Sequence, residues 1–445
     1  MKLAVVSLGC AKNLVDTEVM MGLLAESGYE LTGREEEAEV LVVNTCGFIN
    51  AAKEESIDTI LEVAKYKIAG NCRALVVTGC LAQKYKSDLM AEIPEIDGIM
   101  GTGDINRITD VVKTALAGDT PAPIVRPDFL YDHNLPRVQS TPFYTAFVKI
   151  AEGCDNRCSY CVIPELRGGY RSRTMESVIE EVRTLADRGV KEINLIAQDT
   201  TRYGEDIYGS FKLAELLKRL ADIQGIEWFR VLYAYPTHFT DELVEVLAST
   251  PKICHYLDIP LQHAHDRILR EMNRRGSRQE IVSLVDKLRA RIPQIAIRTS
   301  FIVGFPGETE EEFLHLLEFV KEVQFDRVGV FTYSREEDTP AGIMPGQVPE
   351  EVKEDRRDRL MTVQQEISLE KNRQKIGQIL SVLVEGNSSE NPELNIGRTE
   401  FDAPDIDGNI FFPGPALMSG EIIRVKVTEA MEYDLIGEVI HESGQ

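Results

Sequence analysis

Three cysteines fall within eight residues, in the run Cys154-Asp-Asn-Arg-Cys158-Ser-Tyr-Cys161. A Cys-x3-Cys-x2-Cys spacing on one short loop can hold three corners of a cubic four-iron cluster. The fourth iron then has no protein ligand, and an open iron can bind a small molecule and pass it an electron. A structural zinc site instead closes with four ligands, usually as two Cys-x2-4-Cys pairs. Here the next cysteine along the chain is Cys254. A zinc or redox site is the competing chemistry for clustered cysteines in a reducing compartment.

A second set of three arises by repetition. Leu3-Ala-Val-Val-Ser-Leu-Gly-Cys10, Val40-Leu-Val-Val-Asn-Thr-Cys46 and Ala74-Leu-Val-Val-Thr-Gly-Cys80 are each a short apolar run ending in cysteine. Helical periodicity fills the spaces between, over Leu14–Glu26 and Ala52–Tyr66. Strand–helix–strand alternation predicts a parallel, doubly wound sheet. Such sheets bind ligands beyond the carboxyl ends of their strands. Cys10, Cys46 and Cys80 are therefore expected to converge at one edge and to leave a second open iron. Gly9, Gly47 and Gly79 give the backbone room for tight turns there. Cys72 precedes its strand and is expected not to be a ligand. The competing reading is three buried cysteines at strand ends.

The remaining elements must position these two sets. A length of 445 residues predicts about three domains. The first is expected over 1–120. Prolines at 121, 123, 127, 136 and 142 mark a linker over 121–142. Strands are expected at Phe147–Ala151, Glu192–Ala197, Phe229–Ala234, Tyr256–Ile259, Ala296–Ile302 and Arg327–Tyr333. Amphipathic helices alternate with them at Met175–Arg188, Lys212–Ala221, Asp241–Leu247, Arg278–Ala290 and Glu310–Val323. Six such units over 143–373 predict a partial open barrel whose working face is the C-terminal end of its strands. From 374 to 445 the pattern becomes short alternating strands at Leu380–Val384, Ile410–Phe412, Ile422–Val427 and Leu435–Ile440. These predict a small antiparallel β-barrel.

Composition narrows the partners. The formal net charge is −24, which argues against broad phosphate binding and favours a basic protein partner. No apolar run approaches the ~20 residues that span a bilayer, and the apolar start reads as a strand, not a signal peptide. A cytoplasmic monomer is expected.

The Cys154–Cys161 run resembles the signature of the radical S-adenosylmethionine (SAM) enzymes. Two three-cysteine sites in this order resemble the methylthiotransferases, a branch of that family, over essentially the whole chain. The resemblance implies a SAM bound at the open iron of Cys154, Cys158 and Cys161 and cleaved by one electron to a 5′-deoxyadenosyl radical. It implies a second four-iron cluster on Cys10, Cys46 and Cys80 that carries the sulfur or methylthio unit. A second SAM supplies the methyl group. A low-potential donor such as flavodoxin or ferredoxin and a sulfur donor are implied as partners.

The resemblance also points to polar groups at strand ends as cofactor contacts. Tyr160 stands where the family places an aromatic residue near adenine, although a core aromatic fits equally. Gln198 and Asp199 close the second strand of the barrel, where a turn or helix N-cap aspartate is the alternative. Ser300 and Gly304, in Ser300-Phe-Ile-Val-Gly304-Phe-Pro-Gly307, resemble the family's glycine-containing SAM motif. Gln262, His263, Tyr333 and Arg335 are pocket candidates. Arg167, Arg171 and Arg173 face an anionic ligand or merely offset acidic neighbours. No side chain is assigned as catalytic; the cofactors carry the chemistry and the protein aims it.

Residues 374–445 resemble the TRAM domain that closes methylthiotransferases, a module that commonly binds RNA. Yet residues 371–445 carry six Lys or Arg against thirteen Asp or Glu, the wrong sign for nucleic acid. The phrases Gly9-Cys10-Ala-Lys12-Asn13-Leu-Val-Asp16-Thr-Glu18 and Asn44-Thr-Cys46-Gly-Phe48-Ile-Asn-Ala-Ala-Lys53-Glu54-Glu-Ser56 resemble the branch that modifies an aspartate β-carbon of ribosomal protein S12. The alternatives are a branch acting on adenosine derivatives in tRNA, and a non-enzymatic iron–sulfur or zinc protein docked on ribosomes.

Overall fold

The computed structural model describes residues 1–119, 126–415 and 417–440. Pro121 and Pro123 of the expected linker lie outside the described residues. The first sheet comprises β1 (Lys2–Ser7), β2 (Glu30–Leu31), β3 (Val40–Thr45), β4 (Ala74–Gly79) and β5 (Gly98–Ile99), all parallel in the order β2-β1-β3-β4-β5. Its apolar runs alternate between two faces. Leu3, Val40, Val42 and Val76 pack against the helices Ala11–Glu26 and Ile108–Ala117. Ala4, Leu41, Val43 and Val77 pack against Asn50–Ala69 and Cys80–Glu92. Burial on both faces is why these strands read as continuous apolar runs.

The described part of the linker is packed, not free. The Arg137 guanidinium pairs with Glu18 and with Glu181 at 2.6 Å, one acid from each side of the junction. A side chain at Gly22 would meet the Pro136 carbonyl oxygen at 2.4 Å, so the first helix is shaped to receive this strap.

The central sheet is fully parallel. It runs β13-β12-β11-β10-β9-β6, with β6 (Thr145–Lys149), β9 (Glu192–Ile196), β10 (Trp228–Val231), β11 (Ile253–Asp258), β12 (Ala296–Val303) and β13 (Arg327–Thr332). β6 and β13 remain its two edges, which makes the barrel partial. A short antiparallel pair, β7 (Ala151–Glu152) with β8 (Arg171–Ser172), closes the base of the Cys154–Cys161 loop. Helices Met175–Asp187, Leu213–Ala221, Asp241–Ser249, Arg278–Arg291 and Glu310–Val323 cover the outside. The last two begin with capping boxes, Ser277 with Glu280 and Thr309 with Glu312. Among the described residues no helix is long and apolar enough to cross a membrane.

The last five strands are β14 (Ile379–Asn387), β15 (Leu394–Thr399), β16 (Ile410–Pro413), β17 (Ile422–Ala430) and β18 (Leu435–Val439), closed in the order β14-β15-β16-β18-β17. Their pairings are antiparallel except β16 with β18, which is parallel. β15 had no apolar alternation to announce it, because it buries Asn395, Arg398 and Thr399.

This barrel covers the N-terminal ends of the central strands. Arg398 of β15 pairs with Glu192 of β9 at 2.7 Å, and Glu192 also takes Arg230 of β10 at 3.0 Å. Arg327, which opens β13, pairs with Asp402 at 2.9 Å. All members of the Glu192 group are at most 2% exposed. Burial pushes the Glu192 carboxyl up, but the two guanidiniums outweigh it and hold it down at about 2. Its contribution to stability is therefore present at neutral pH and disappears only as pH falls toward about 2. Glu192→Gln leaves buried Arg230 without a carboxylate and Arg398 with Glu385 alone, and is expected to cost about 3–5 kcal/mol. The denaturation midpoint of the variant measures it; a loss below about 1 kcal/mol, as for an exposed pair, would refute this account of the junction.

Candidate active site

The repeat brings its three cysteines together. β1, β3 and β4 are neighbours in register, Ser7 beside Asn44 and Thr45 beside Gly79, so their carboxyl ends coincide. Cys10 immediately precedes the first helix, Cys46 follows β3, and Cys80 opens the third helix. Gly9 has φ +88°, and a side chain there would stand 2.8 Å from Cys46 Cβ and 3.0 Å from its sulfur. Only glycine lets the first loop approach the second so closely.

The surrounding polar groups tie these ends into one unit. Asn13 donates to the carbonyls of Leu8 and Thr45, both at 2.9 Å. Ser56 accepts from the Cys46 N–H at 3.0 Å and donates to its carbonyl at 2.9 Å. Cys80 is buried against Val162 and Leu166 of the central region. Cys10 is exposed. Burial pushes the Cys80 thiol up to about 11 and raises Cys46. Burial also acts upward on Cys10, but Lys12, Arg167 and the N–H groups of Asn13 and Lys12 outweigh it and lower that thiol. Metal binding here would release protons from Cys46 and Cys80.

The second loop is fixed at several points. Cys154 N–H donates to the Gly168 carbonyl at 3.1 Å, and Ser159 donates through N and Oγ to the carbonyls of Met272 and Glu271. Asn273 donates to the Arg157 carbonyl at 2.8 Å. Arg274 lies 3.7 Å from the Cys158 sulfur and 3.4 Å from the Tyr160 hydroxyl, and donates to the Pro260 carbonyl at 2.6 Å. Burial raises Cys154 to about 11 and Cys161 further still.

The donor sets fit clusters with an open corner: three thiols at each place and no fourth cysteine near. Cys72 is turned to its own Ala74 carbonyl at the other end of β4, and Cys254 is buried beside Arg230 and Glu192. Among the described residues no three His, Cys, Asp or Glu side chains gather as they would around a single ion. A four-iron cube spreads its thiolates over separate irons, a different arrangement from ligands gathered on one ion.

A buried ionic chain, not anticipated from the sequence, connects the two sets. Arg167 reaches across to donate to Asn13 and, at 2.6 Å, to Asp16. Lys149 pairs with Asp16 and Glu152, and Arg167 is 3.1 Å from Glu152. Glu152 then accepts from Gln198 Nε2 at 2.8 Å. Burial pushes Glu152 up, but Lys149 and Arg167 outweigh it and hold it far below the usual range. The sequence signal was Lys149 inside an otherwise apolar strand. Arg167 and Arg173 are thus internal, Arg173 pairing with Glu181, and do not form a basic surface.

The remaining candidates divide by what is left free. Gln198 Oε1 is buried without a partner among the described residues. Tyr160 packs beside Tyr333 and Phe305. Gln262 takes φ 72° and donates its N–H to the Ser300 carbonyl at 2.7 Å. Asp199 is occupied: Asn156, Thr201 and the Arg202 N–H bond its carboxylate, and His238 Nδ1 lies 3.2 Å from it. It organises the turn after β9, and the next helix, Glu205–Tyr208, starts from Gly204 instead. Gly304 has φ +73°, and a Cβ there would meet Lys353 Cγ at 2.3 Å, so protein packing alone demands glycine. His263 is fully buried, its Nε2 3.7 Å from Glu308, and burial pulls it down to about 3, which keeps the ring neutral. Arg335 is exposed and donates to the Gly342 carbonyl at 2.8 Å.

Comparison with known proteins completes the description. Family models match in three places: "Radical SAM superfamily" over residues 148–320, "Uncharacterized protein family UPF0004" over 2–101 and "TRAM domain" over 376–440. The chain is 59% identical over 445 residues to "Ribosomal protein uS12 methylthiotransferase RimO" of Heliobacterium modesticaldum, covering 100% of this chain and 96% of that one. It is 57% identical to the protein of the same name from Pelotomaculum thermopropionicum, with 99% of both chains covered. Among solved structures it resembles the radical S-adenosylmethionine methyltransferase TsrM from Kitasatospora setae, solved with cobalamin and a four-iron four-sulfur cluster bound. The TM-score there is 0.56 at 16% identity, covering 88% of this chain and 81% of that one. That likeness concerns the fold.

Proposed function

Because this chain belongs to the family of ribosomal protein uS12 methylthiotransferases named RimO, we propose that it methylthiolates the β-carbon of an aspartate in ribosomal protein S12. It is a radical SAM enzyme, using an iron–sulfur cluster and SAM. The finer assignment is two four-iron clusters, one on Cys154, Cys158 and Cys161 and one on Cys10, Cys46 and Cys80. When bound, the first supplies the electron that cleaves SAM and the second supplies the methylthio group.

The observation that carries this reading is the pairing of two three-thiol sets across one buried ionic chain. The chain's own residues perform the positioning. Ser159, Asn273 and Arg274 fix the Cys154–Cys161 loop to the short helix Asp266–Glu271 and the turn that follows it. Asn13 and Ser56 fix the other set. Arg167, Asp16, Lys149 and Glu152 hold the two sheets in one register, and dry burial keeps their charges paired. Gln198 Oε1, without a partner among the described residues, is a polar atom available to a cofactor at the strand ends.

The acidic last barrel supports a basic target, but it lies at the opposite end of the central strands from both thiol sets. Its charge therefore acts on the approach of S12 rather than at the reacting carbon. A low-potential electron donor, a sulfur donor and a cytoplasmic location complete the proposal. The test is mass spectrometry of the target-aspartate peptide after anaerobic incubation with reconstituted enzyme, SAM, reductant and sulfide, with tRNA offered in parallel. A methylthio mass gain on the aspartate peptide is the expected result. A gain on tRNA nucleosides alone would overturn the substrate assignment.

A further inference from the structure

Lys12 stands on the first turn of the helix Ala11–Glu26, two residues after Cys10. Its side chain crosses from the first sheet to the central one and is only 8% exposed. Its ammonium lies 3.1 Å from the centre of the Tyr233 ring, just beyond the carboxyl end of β10. Among the described residues no carboxylate pairs with it. Other buried cations of the two sheets differ. Arg167 and Lys149 share Asp16 and Glu152, Arg298 has Asp258, and Arg274 has the Pro260 carbonyl. A lysine this buried is normally paired. A ring face attracts an ammonium without neutralising it, so the N–H donors directed away from the ring stay available.

Tyr233 is built for this contact. It holds φ 61°, a region that bulky side chains avoid. Hydrogen bonds on both sides fix it there: its N–H donates to Asp258 Oδ2 at 3.1 Å, and its carbonyl accepts from the Thr200 N–H at 3.1 Å. Backbone strain that neighbours over-determine marks a position with a task. Here the outcome is a ring set under a cation that has no carboxylate partner among the described residues, between Cys10 of the first sheet and the strand ends of the second.

We propose that Lys12 binds the carboxylate of the substrate aspartate. The proposal rests on the methylthiotransferase reading above and adds the residue that positions its substrate. The β-carbon to be modified is bonded directly to the carboxyl carbon, so fixing the carboxylate fixes the reacting carbon. A charge-assisted hydrogen bond gives Lys12 the carboxylate partner it lacks within the chain and orients the side chain in one step.

The test uses the reconstituted enzyme and two peptides from S12, one with the target aspartate and one with asparagine in its place. Wild type is expected to bind the aspartate peptide about tenfold or more tightly than the asparagine peptide, as measured by fluorescence anisotropy. Lys12→Met, similar in length but uncharged, is expected to bind both alike, with a raised KM for the aspartate peptide and unchanged iron content. Lys12→Arg should restore part of the preference. A wild type without preference for aspartate overturns the proposal, as does a Lys12→Met variant that keeps it. Equal weakening of both peptides by Lys12→Met would mark a structural role and also overturns it. If wild type fails to methylthiolate the aspartate peptide at all, the functional reading itself falls; if wild type succeeds and Lys12→Met has the same KM, only the role of Lys12 falls.

Discussion

Replacing any one of Cys154, Cys158 or Cys161 by alanine is expected to abolish cleavage of SAM, a fall of about a thousandfold or more, because the reaction has no other route for the electron. Three protein thiolates are the minimum that holds a cube with one corner open. Two leave a second corner exposed to solvent and oxidation. The loss should be confined to the chemistry. The loop is held by Ser159, Asn273 and Arg274, none of which depends on a single thiol. Bound iron should therefore drop by about half, from roughly eight to roughly four per chain, with the other set still filled. Anaerobic reconstitution, an iron assay and chromatography of 5′-deoxyadenosine measure both effects. A variant that still cleaves SAM at a tenth of the wild-type rate would sink the assignment. Cys72→Ala is the control: its thiol faces the Ala74 carbonyl at the far end of β4, and neither iron nor cleavage should change.

The parts of this architecture that were legible in the sequence are those written in repeated local signals. β1, β3 and β4 announced themselves as apolar runs because both faces of a parallel sheet are buried, and Cys10, Cys46 and Cys80 marked their carboxyl ends. The six central strands and their helices followed from the same alternation. What escaped was set by pairing across distance. β15 carries Asn395, Arg398 and Thr399 into the interior, so it has no hydrophobic period to read. Its reason for being a strand is Glu192, about two hundred residues earlier. The same holds at the site. Lys149, Asp16, Glu152 and Arg167 are unremarkable as single letters and become one ion-pair cluster only when two sheets meet. Arg167 was read within a basic segment, and its partners turned it inward. Asp199 and Gly304 had specific roles offered by resemblance, yet internal hydrogen bonds and the Lys353 side chain already explain them.

Removing the other three thiols, in Cys10→Ala, Cys46→Ala and Cys80→Ala together, is expected to separate the two halves of the reaction. Methylthio product should vanish while SAM cleavage stays within about threefold of wild type, since the cleavage site keeps its own three ligands. The geometry makes the separation sharp. The first set sits on a different sheet from the second, and the Arg167–Asp16–Lys149–Glu152 chain between them keeps its own ion pairs in the triple variant, although Arg167 loses the neighbouring Cys10 and Cys80 thiols. The cost to folding should be small: Cys10 is exposed and Cys46 half-buried, and only Cys80 leaves a small gap, against Val162 and Leu166, worth about 1 kcal/mol. Iron should again fall by about half, now with SAM cleavage preserved. Mass spectrometry of the aspartate peptide and quantification of 5′-deoxyadenosine in the same sample provide the two readings. Methylthio product from the triple variant above a tenth of wild type would mean that the sulfur reaches the substrate without this set. The repeat of three strand-end cysteines would then be structural, and the second cluster would have no place in the enzyme. Loss of cleavage together with product, in a variant that is still folded, would mean that the two sets act as one electronic unit through the buried ionic chain. Retained cleavage with lost product is the outcome that two separate donor sets on two separate sheets require.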